Sequence, residues 1–239
     1  MILSLLSLQG ILLVSCEDDE ATSQFNFWTD YDSEVVEAVD LALPSGTLWA
    51  NCNVGANKPE DYGCYFAWGE TTFKSKYDWA TYKWSNGSYS SITKYNTLEY
   101  YGATDDLTEL EANDDAASVL WSNEWQIPTY TQFEELIDFC DWEWKQLKDD
   151  ENNDIKDIYG NKIFGYVVTG TNGNFIFLPA AGYGYDTSRW NLGTLGEYWT
   201  STLNTERPNG SYFLQFNSSD IKFEDHNRCN GRSIRAVHP

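Results

Sequence analysis

Metal chemistry has a single foothold in this chain. Asp150, Asn152 and Asp154 fall at the spacing of the first three ligands of an EF-hand calcium loop. The sixth position, where the turn needs glycine, is Ile155, and the twelfth, which should be a bidentate Glu, is Asn161. The motif fails at both geometric requirements, so 149–154 reads as a solvated polar loop. Two His and no clustered Cys argue against zinc and against most imidazole chemistry. With 37 Asp and Glu, accidental carboxylate pairs are certain, and only a measured separation identifies a glycosidase pair. Nucleophile elbow, phosphate loop and metal-binding His pair are all absent from the sequence. Cys52, Cys64, Cys140 and Cys229 stand in no recognisable relation to a His, whereas a nucleophilic thiol needs a base or an electropositive setting. In an exported chain those four permit two disulfides, in any of three connectivities. We therefore expect no catalysis, no metal and no cofactor.

Composition narrows the partner. The 239 residues carry a formal charge of −22, which repels phosphate backbones, and no run of Lys or Arg offsets it. Nucleic acid is excluded as a partner. Aromatic residues make up 16% of the chain, enough buried surface to offset chain entropy over most of its length. The charge is uneven: nine acids lie between Glu17 and Asp40 with no Lys or Arg among them.

Residues 1–15 are uncharged and mostly Leu, Ile and Val, too short to span a bilayer and typical of a secretory signal. The run ends in Leu13-Val14-Ser15-Cys16, which resembles a bacterial lipobox and makes Cys16 the expected lipidation site and first mature residue. The acidic Glu17-Asp18-Asp19-Glu20 that follows is similar to the surface-export signal of Bacteroidetes lipoproteins. Residues 16–38 then read as an acidic tether, and the expected address is the outer membrane and cell surface, held by a lipid anchor only.

The elements that must position any site lie in 39–239, a length that fits one domain. Val39 to Leu43, a Pro44-Ser45-Gly46 turn and Thr47 to Val54 predict an opening hairpin. The stretch 60–105 has no sustained period and reads as long packed loops. Thr129 and Gln132 form a capping box, after which Phe133, Leu136, Ile137 and Cys140 share one helical face and Glu134, Glu135 and Asp138 point away. A shorter helix is predicted over Asp114 to Leu120. Phe164 to Thr169 and Phe175 to Leu178 flank Thr171-Asn172-Gly173-Asn174 and predict a hairpin buried on both faces. Further strands are expected at Tyr198 to Thr202, Tyr212 to Phe216, Ile221 to Glu224 and Ser233 to Val237. Tyr212, Leu214 and Phe216 alternate with Ser211, Phe213 and Gln215, so one face should be core and the other wet, with Phe213 the one large apolar residue on the wet side.

Several segments together resemble the Fibrobacter succinogenes major paralogous domain, a family widespread in Bacteroidetes surface lipoproteins. They are Leu43-Pro44-Ser45-Gly46-Thr47-Leu48-Trp49-Ala50, Asn53-Val54-Gly55-Ala56, Tyr65-Phe66-Ala67-Trp68-Gly69-Glu70, Phe177-Leu178-Pro179-Ala180-Ala181-Gly182 and Gly231-Arg232-Ser233-Ile234-Arg235. Val39-Asp40-Leu41, Trp125 with Pro128-Thr129, and Tyr198-Trp199 complete the ordered set over about 39–237. Gln126 and Ala236 depart from the family's usual Arg and Pro. The resemblance implies an α+β fold: one C-type-lectin-like domain with a twisted antiparallel sheet, one or two helices and long packed loops, related to that of formylglycine-generating enzymes. It also implies kinship with the variable proteins of diversity-generating retroelements, whose carboxy-terminal residues are varied to change what they bind. The calcium-dependent sugar motif of true C-type lectins is missing.

These readings converge on a cell-surface ligand-binding protein, adhesin-like or receptor-like, whose partner is a protein or a glycan. The expected contact surface comprises Asn204, Glu206, Arg207, Asn209, Phe213, Gln215, Lys222, Glu224, Asp225, His226 and Asn227, polar side chains around one exposed aromatic. Two alternatives stay open. A glycan-active enzyme or accessory subunit of a polysaccharide-uptake complex predicts paired carboxylates in a cleft. A surface-layer or pilus-tip subunit predicts an unpaired strand edge or donor-strand groove.

Overall fold

A computed structural model describes residues 36–149 and 151–239. The signal segment 1–15, Cys16 and nearly all of the tether lie outside the described residues, as does Asp150.

The opening hairpin forms as its turn chemistry requires. Strands β1 (Ala38–Asp40) and β2 (Leu48–Ala50) pair antiparallel, with Asp40 opposite Leu48. The turn between them closes by a 2.9 Å bond from Gly46 N to Leu43 O, with Gly46 at φ +78°, where glycine carries no Cβ penalty. Helix α1 (Ala116–Leu120) starts at Asp115, whose carboxylate accepts from Ala117 N, Ser118 N and, across the loop, Ile127 N. Helix α2 (Tyr130–Phe139) has both halves of the capping box, and it buries Phe133 and Leu136 completely. Glu135, expected to point away, instead accepts from Ser45 N and Oγ at 2.8 and 2.6 Å and ties the helix to the first turn.

Strand β3 (Asp141–Gln146) was not expected from the sequence. Its Trp142 and Trp144 alternate with exposed Asp141, Glu143 and Lys145, and it pairs with β4 (Phe164–Thr169), which pairs with β5 (Phe175–Pro179). The hairpin tip is wet rather than buried: Phe175 is 61% exposed. A two-stranded ribbon follows, β6 (Tyr183–Tyr185) with β7 (Ser188–Trp190). The third sheet has β9 (Gly210–Asn217) between β8 (Gly196–Leu203) and β10 (Asp220–Asn227). The expected strand at 233–237 reduces to β11 (Val237–His238), paired with β2. The architecture is α+β, mostly antiparallel sheet with two short α-helices among the described residues, and 51–115 runs largely as loops. Among the described residues no helix is long and apolar enough to cross a membrane.

Two cores flank the β8–β9 pair. Trp199, Leu203 and Phe213 pack with Phe66, Trp68, Ile127 and α1 on one side. Tyr198, Leu214 and Phe216 pack with Trp49, Phe133, Leu136 and the β4–β5 hairpin on the other. The segment 228–235 threads between these layers and brings three arginines inside, none more than 2% exposed. Arg235 makes four hydrogen bonds, to Asn53 Oδ1, Ala50 O, Asn51 O and Phe177 O, at 2.8–3.0 Å. Arg228 donates to Tyr95 O and Lys94 O at 2.7 and 2.6 Å. Ala236, at the position where the family resemblance favours Pro, is fully buried.

Two outcomes are expected. An ammonium has three donors and no fork, so Arg235→Lys leaves at least one of four buried acceptors without a donor. The loss should be about 1–3 kcal/mol or more, read as a lower urea midpoint at unchanged m. Burial pushes the Asp115 carboxyl up to about 6, against its three N–H bonds. A carboxyl raised in the folded state favours folding below the unfolded pKa, and that contribution is lost as pH rises through about 6. From pH 4 to 6 the stability of the wild type should therefore fall relative to Asp115→Asn by on the order of 2 kcal/mol in total, read as a converging or crossing pair of melting-temperature curves.

Candidate functional site

The expected contact surface divides on inspection. Phe213 is not on a wet face: it is 2% exposed, edge-on to Trp199 with ring centroids 5.7 Å apart. The alternation of β9 predicts core against solvent, yet both of its faces meet a core, and the near-continuous run Tyr212-Phe213-Leu214 is what a doubly buried strand looks like. Asn204 is also removed from the surface. Its Oδ1 accepts from Glu206 N and Arg207 N at 3.0 and 3.1 Å, an Asx turn that shapes the β8–β9 loop from within.

The other nine residues do come to one region. Glu206, Arg207, Lys222 and His226 are exposed, and Asn209, Gln215, Glu224, Asp225 and Asn227 are half-buried. The register sets Lys222 opposite Gln215, Glu224 opposite Phe213 and His226 opposite Ser211, so these polar groups line the rim of the Phe213 face. Arg207 Nη1 meets Asp225 Oδ2 at 3.2 Å, joining the β8–β9 loop to the end of β10. Arg228 N donates to Asn209 O at 3.1 Å and closes the same corner. Lys222 pairs with Glu224 at 2.5 Å along the strand. The loop 88–106 joins through Thr97 Oγ1, which donates to Thr205 O at 2.8 Å.

Beneath this rim lies a group that sequence reasoning did not single out as functional. Arg232 spreads its charge over the rings of Phe213 and Trp199, 3.8 and 4.3 Å from their centroids, and sits 2.7 Å from Glu197 Oε2. That ion pair is a close approach rather than a directed hydrogen bond, and Arg232 Nη1 has no hydrogen-bond partner. Glu197 Oε1 in turn accepts from Gln215 Nε2 at 3.1 Å, linking the buried pair to the rim. The sequence offers little signal, since 231–236 reads Gly-Arg-Ser-Ile-Arg-Ala and two arginines in a polar segment do not announce burial. Burial, followed by the Arg232 charge, lowers the His226 pKa, and Glu197 opposes this, so His226 is neutral at pH 7.

The remaining chemical candidates resolve as structure. Asp149 Oδ1 accepts from Glu151 N and Asn153 N, and its Oδ2 accepts from Asn153 Nδ2. Asp154 takes Lys162 at 2.9 Å. The acidic run thus builds turns, and among the described residues no group of three His, Cys, Asp or Glu is placed to hold a metal. Cys52, Cys140 and Cys229 are free thiols, so two disulfides among the four candidate cysteines do not form. Burial raises the thiol pKa of all three, of Cys140 to about 11 and of Cys229 to about 12.

Fold and site together define an α+β protein of antiparallel sheets that carries a polar loop-borne rim over a doubly buried strand. No family model matches the chain, and none of the curated proteins or solved structures gives a match.

Phe213→Ala should behave as a core truncation, costing about 3–5 kcal/mol, with denaturant unfolding as the measure. A variant of wild-type stability would return Phe213 to the surface.

Proposed function

We propose that the protein is a ligand-binding module, adhesin-like or receptor-like, displayed on the outer surface through a lipid on Cys16. We further propose that its domain has the C-type-lectin-like arrangement. The observation that carries the binding reading is the pairing of the 204–209 loop with the end of β10 at 225–227. The two meet through Arg207 and Asp225, and their roots are a strand buried on both faces and the Arg228 clamp. Loops with solvent-facing polar side chains on a rigid scaffold are where binding residues concentrate. With Phe213 inside, the rim offers charge and hydrogen bonds and no central apolar anchor, so recognition there is electrostatic and salt-sensitive.

The same geometry limits variation. Pro208, Arg228, Cys229 and Asn230 are buried, which leaves Thr205, Glu206, Arg207 and His226 as the positions that change without touching the core. The strand edge of β10 favours ligand binding over strand donation, because Lys222, Glu224 and His226 interrupt it with polar and charged groups.

The test is an array of surface glycans and surface proteins probed with the wild type and with Arg207→Glu. Charge reversal at this exposed site should weaken binding at least tenfold, leave the melting temperature unchanged, and reduce the salt dependence. Equal binding by both proteins would remove this rim as the contact surface.

A further inference from the structure

We propose a second binding site, separate from the loop rim: the cleft between segments 55–63 and 157–163 takes one ring of a neutral sugar.

The cleft measures about 150 Å³ and is also lined by Arg189 of β7. Apolar cavities of this size hold one six-membered ring. Both walls are built before any ligand arrives. On one, Asn53 Nδ2 donates to Tyr62 O at 2.9 Å, and Ala56 N and Asp61 N donate to Asn53 O and Lys58 O at 3.0 and 3.2 Å. On the other, Asp157 Oδ1 accepts from Tyr159 N and Asn161 N at 3.0 and 2.8 Å, with Gly160 at φ +83°. This turn pushes Ile158 and Tyr159 outward at the lip, 64% and 44% exposed. A wall that is already folded loses little entropy on binding.

The lining chooses the ligand class. Ala56 and Ile163 give the cleft apolar surface, while Glu60, Asp61 and Arg189 bring charged groups to it. Ionised carboxylates only accept hydrogen bonds and a guanidinium only donates, whereas a hydroxyl does both. A ring bearing several hydroxyls satisfies both kinds of group together. An anion would face Glu60, Asp61 and Asp157 in a chain of net charge −22; those carboxylates would attract a cation, but Arg189, 4.9 Å over the Tyr65 ring, brings a donor that only a ligand with acceptor oxygens uses. The exposed Tyr159 ring supplies an apolar flat surface for the C–H side of a pyranose. One further observation agrees. Burial, then repulsion from Glu60, raises the Asp61 pKa, so its charge lacks full compensation.

The experiment titrates neutral monosaccharides and an array of neutral oligosaccharides against the wild type, Tyr159→Ala, Glu60→Ala and Arg207→Glu. At least one neutral sugar should bind. Its Kd should rise about tenfold in Tyr159→Ala and in Glu60→Ala with unchanged melting temperatures, and should stay the same in Arg207→Glu. Absence of any neutral-sugar binding would overturn the proposal. So would an affinity indifferent to both cleft substitutions, or one lost only in Arg207→Glu, which would move the glycan to the loop rim. A lysine-rich peptide that binds in place of sugars and is released by Glu60→Ala would assign the cleft to cations instead.

Discussion

A buried guanidinium with no carboxylate beside it among the described residues is the constraint from which much else follows. Arg235 is fully enclosed, and its hydrogen-bond partners are three backbone carbonyls and one side-chain amide oxygen. Taking such a charge out of water is costly unless every donor finds an acceptor in good geometry. The acceptors come from 50–53 and from Phe177, so the cost is offset only when the opening hairpin, the central hairpin and the carboxy-terminal segment meet at one point. Arg228 does the same for the long loop around Tyr95. A loop-rich body of this kind has few regular ladders to hold it, and arginine forks aimed at carbonyls take their place.

Arg232 follows a different logic. Its charge rests on two aromatic faces and one carboxylate, so the floor of the loop rim is polarised although nothing polar is exposed there. Rim and floor are coupled through Gln215 and Glu197, and changes at the rim reach the buried pair through one hydrogen bond. The cleft near Arg189 lies elsewhere and draws on other loops. The two surfaces differ in kind, one a set of exposed charged and polar side chains and the other a small cavity with Tyr159 exposed beside it.

Legibility in the sequence tracked the range of the physics involved. The capping box at Thr129 and Gln132, the Pro44-Ser45-Gly46 turn and the β4–β5 and β9–β10 pairs are local, and residues close in sequence determine them. The face of β9 was misread because period-two alternation reports two environments without saying whether the second is water or another core. Nothing local distinguishes the two, although an unbroken Tyr-Phe-Leu run favours the dry case. Strand β3 was overlooked because its two tryptophans were set among charges, which is how a one-sided edge strand reads. The loop rim could be approximated by noting long polar side chains between strands. Its partition into surface groups and an internal Asx turn at Asn204 depended on side-chain direction, which no pattern encodes. The 150 Å³ cleft joins residues from three distant segments and has no linear signature.

The placement of β11 bears on how the chain reaches its folded state. The final strand pairs with β2, near the start of the described body, and the three internal arginines sit within the last dozen residues. The first hairpin therefore waits for the last segment to exist before its carbonyls meet their donors. Contacts of such long sequence separation close slowly. A chain emerging from its amino end would remain open at this hairpin until its tail arrived. A chain ending before residue 228 would lack both carbonyl clamps, Arg228 and Arg235, and the Arg232 charge beneath the rim.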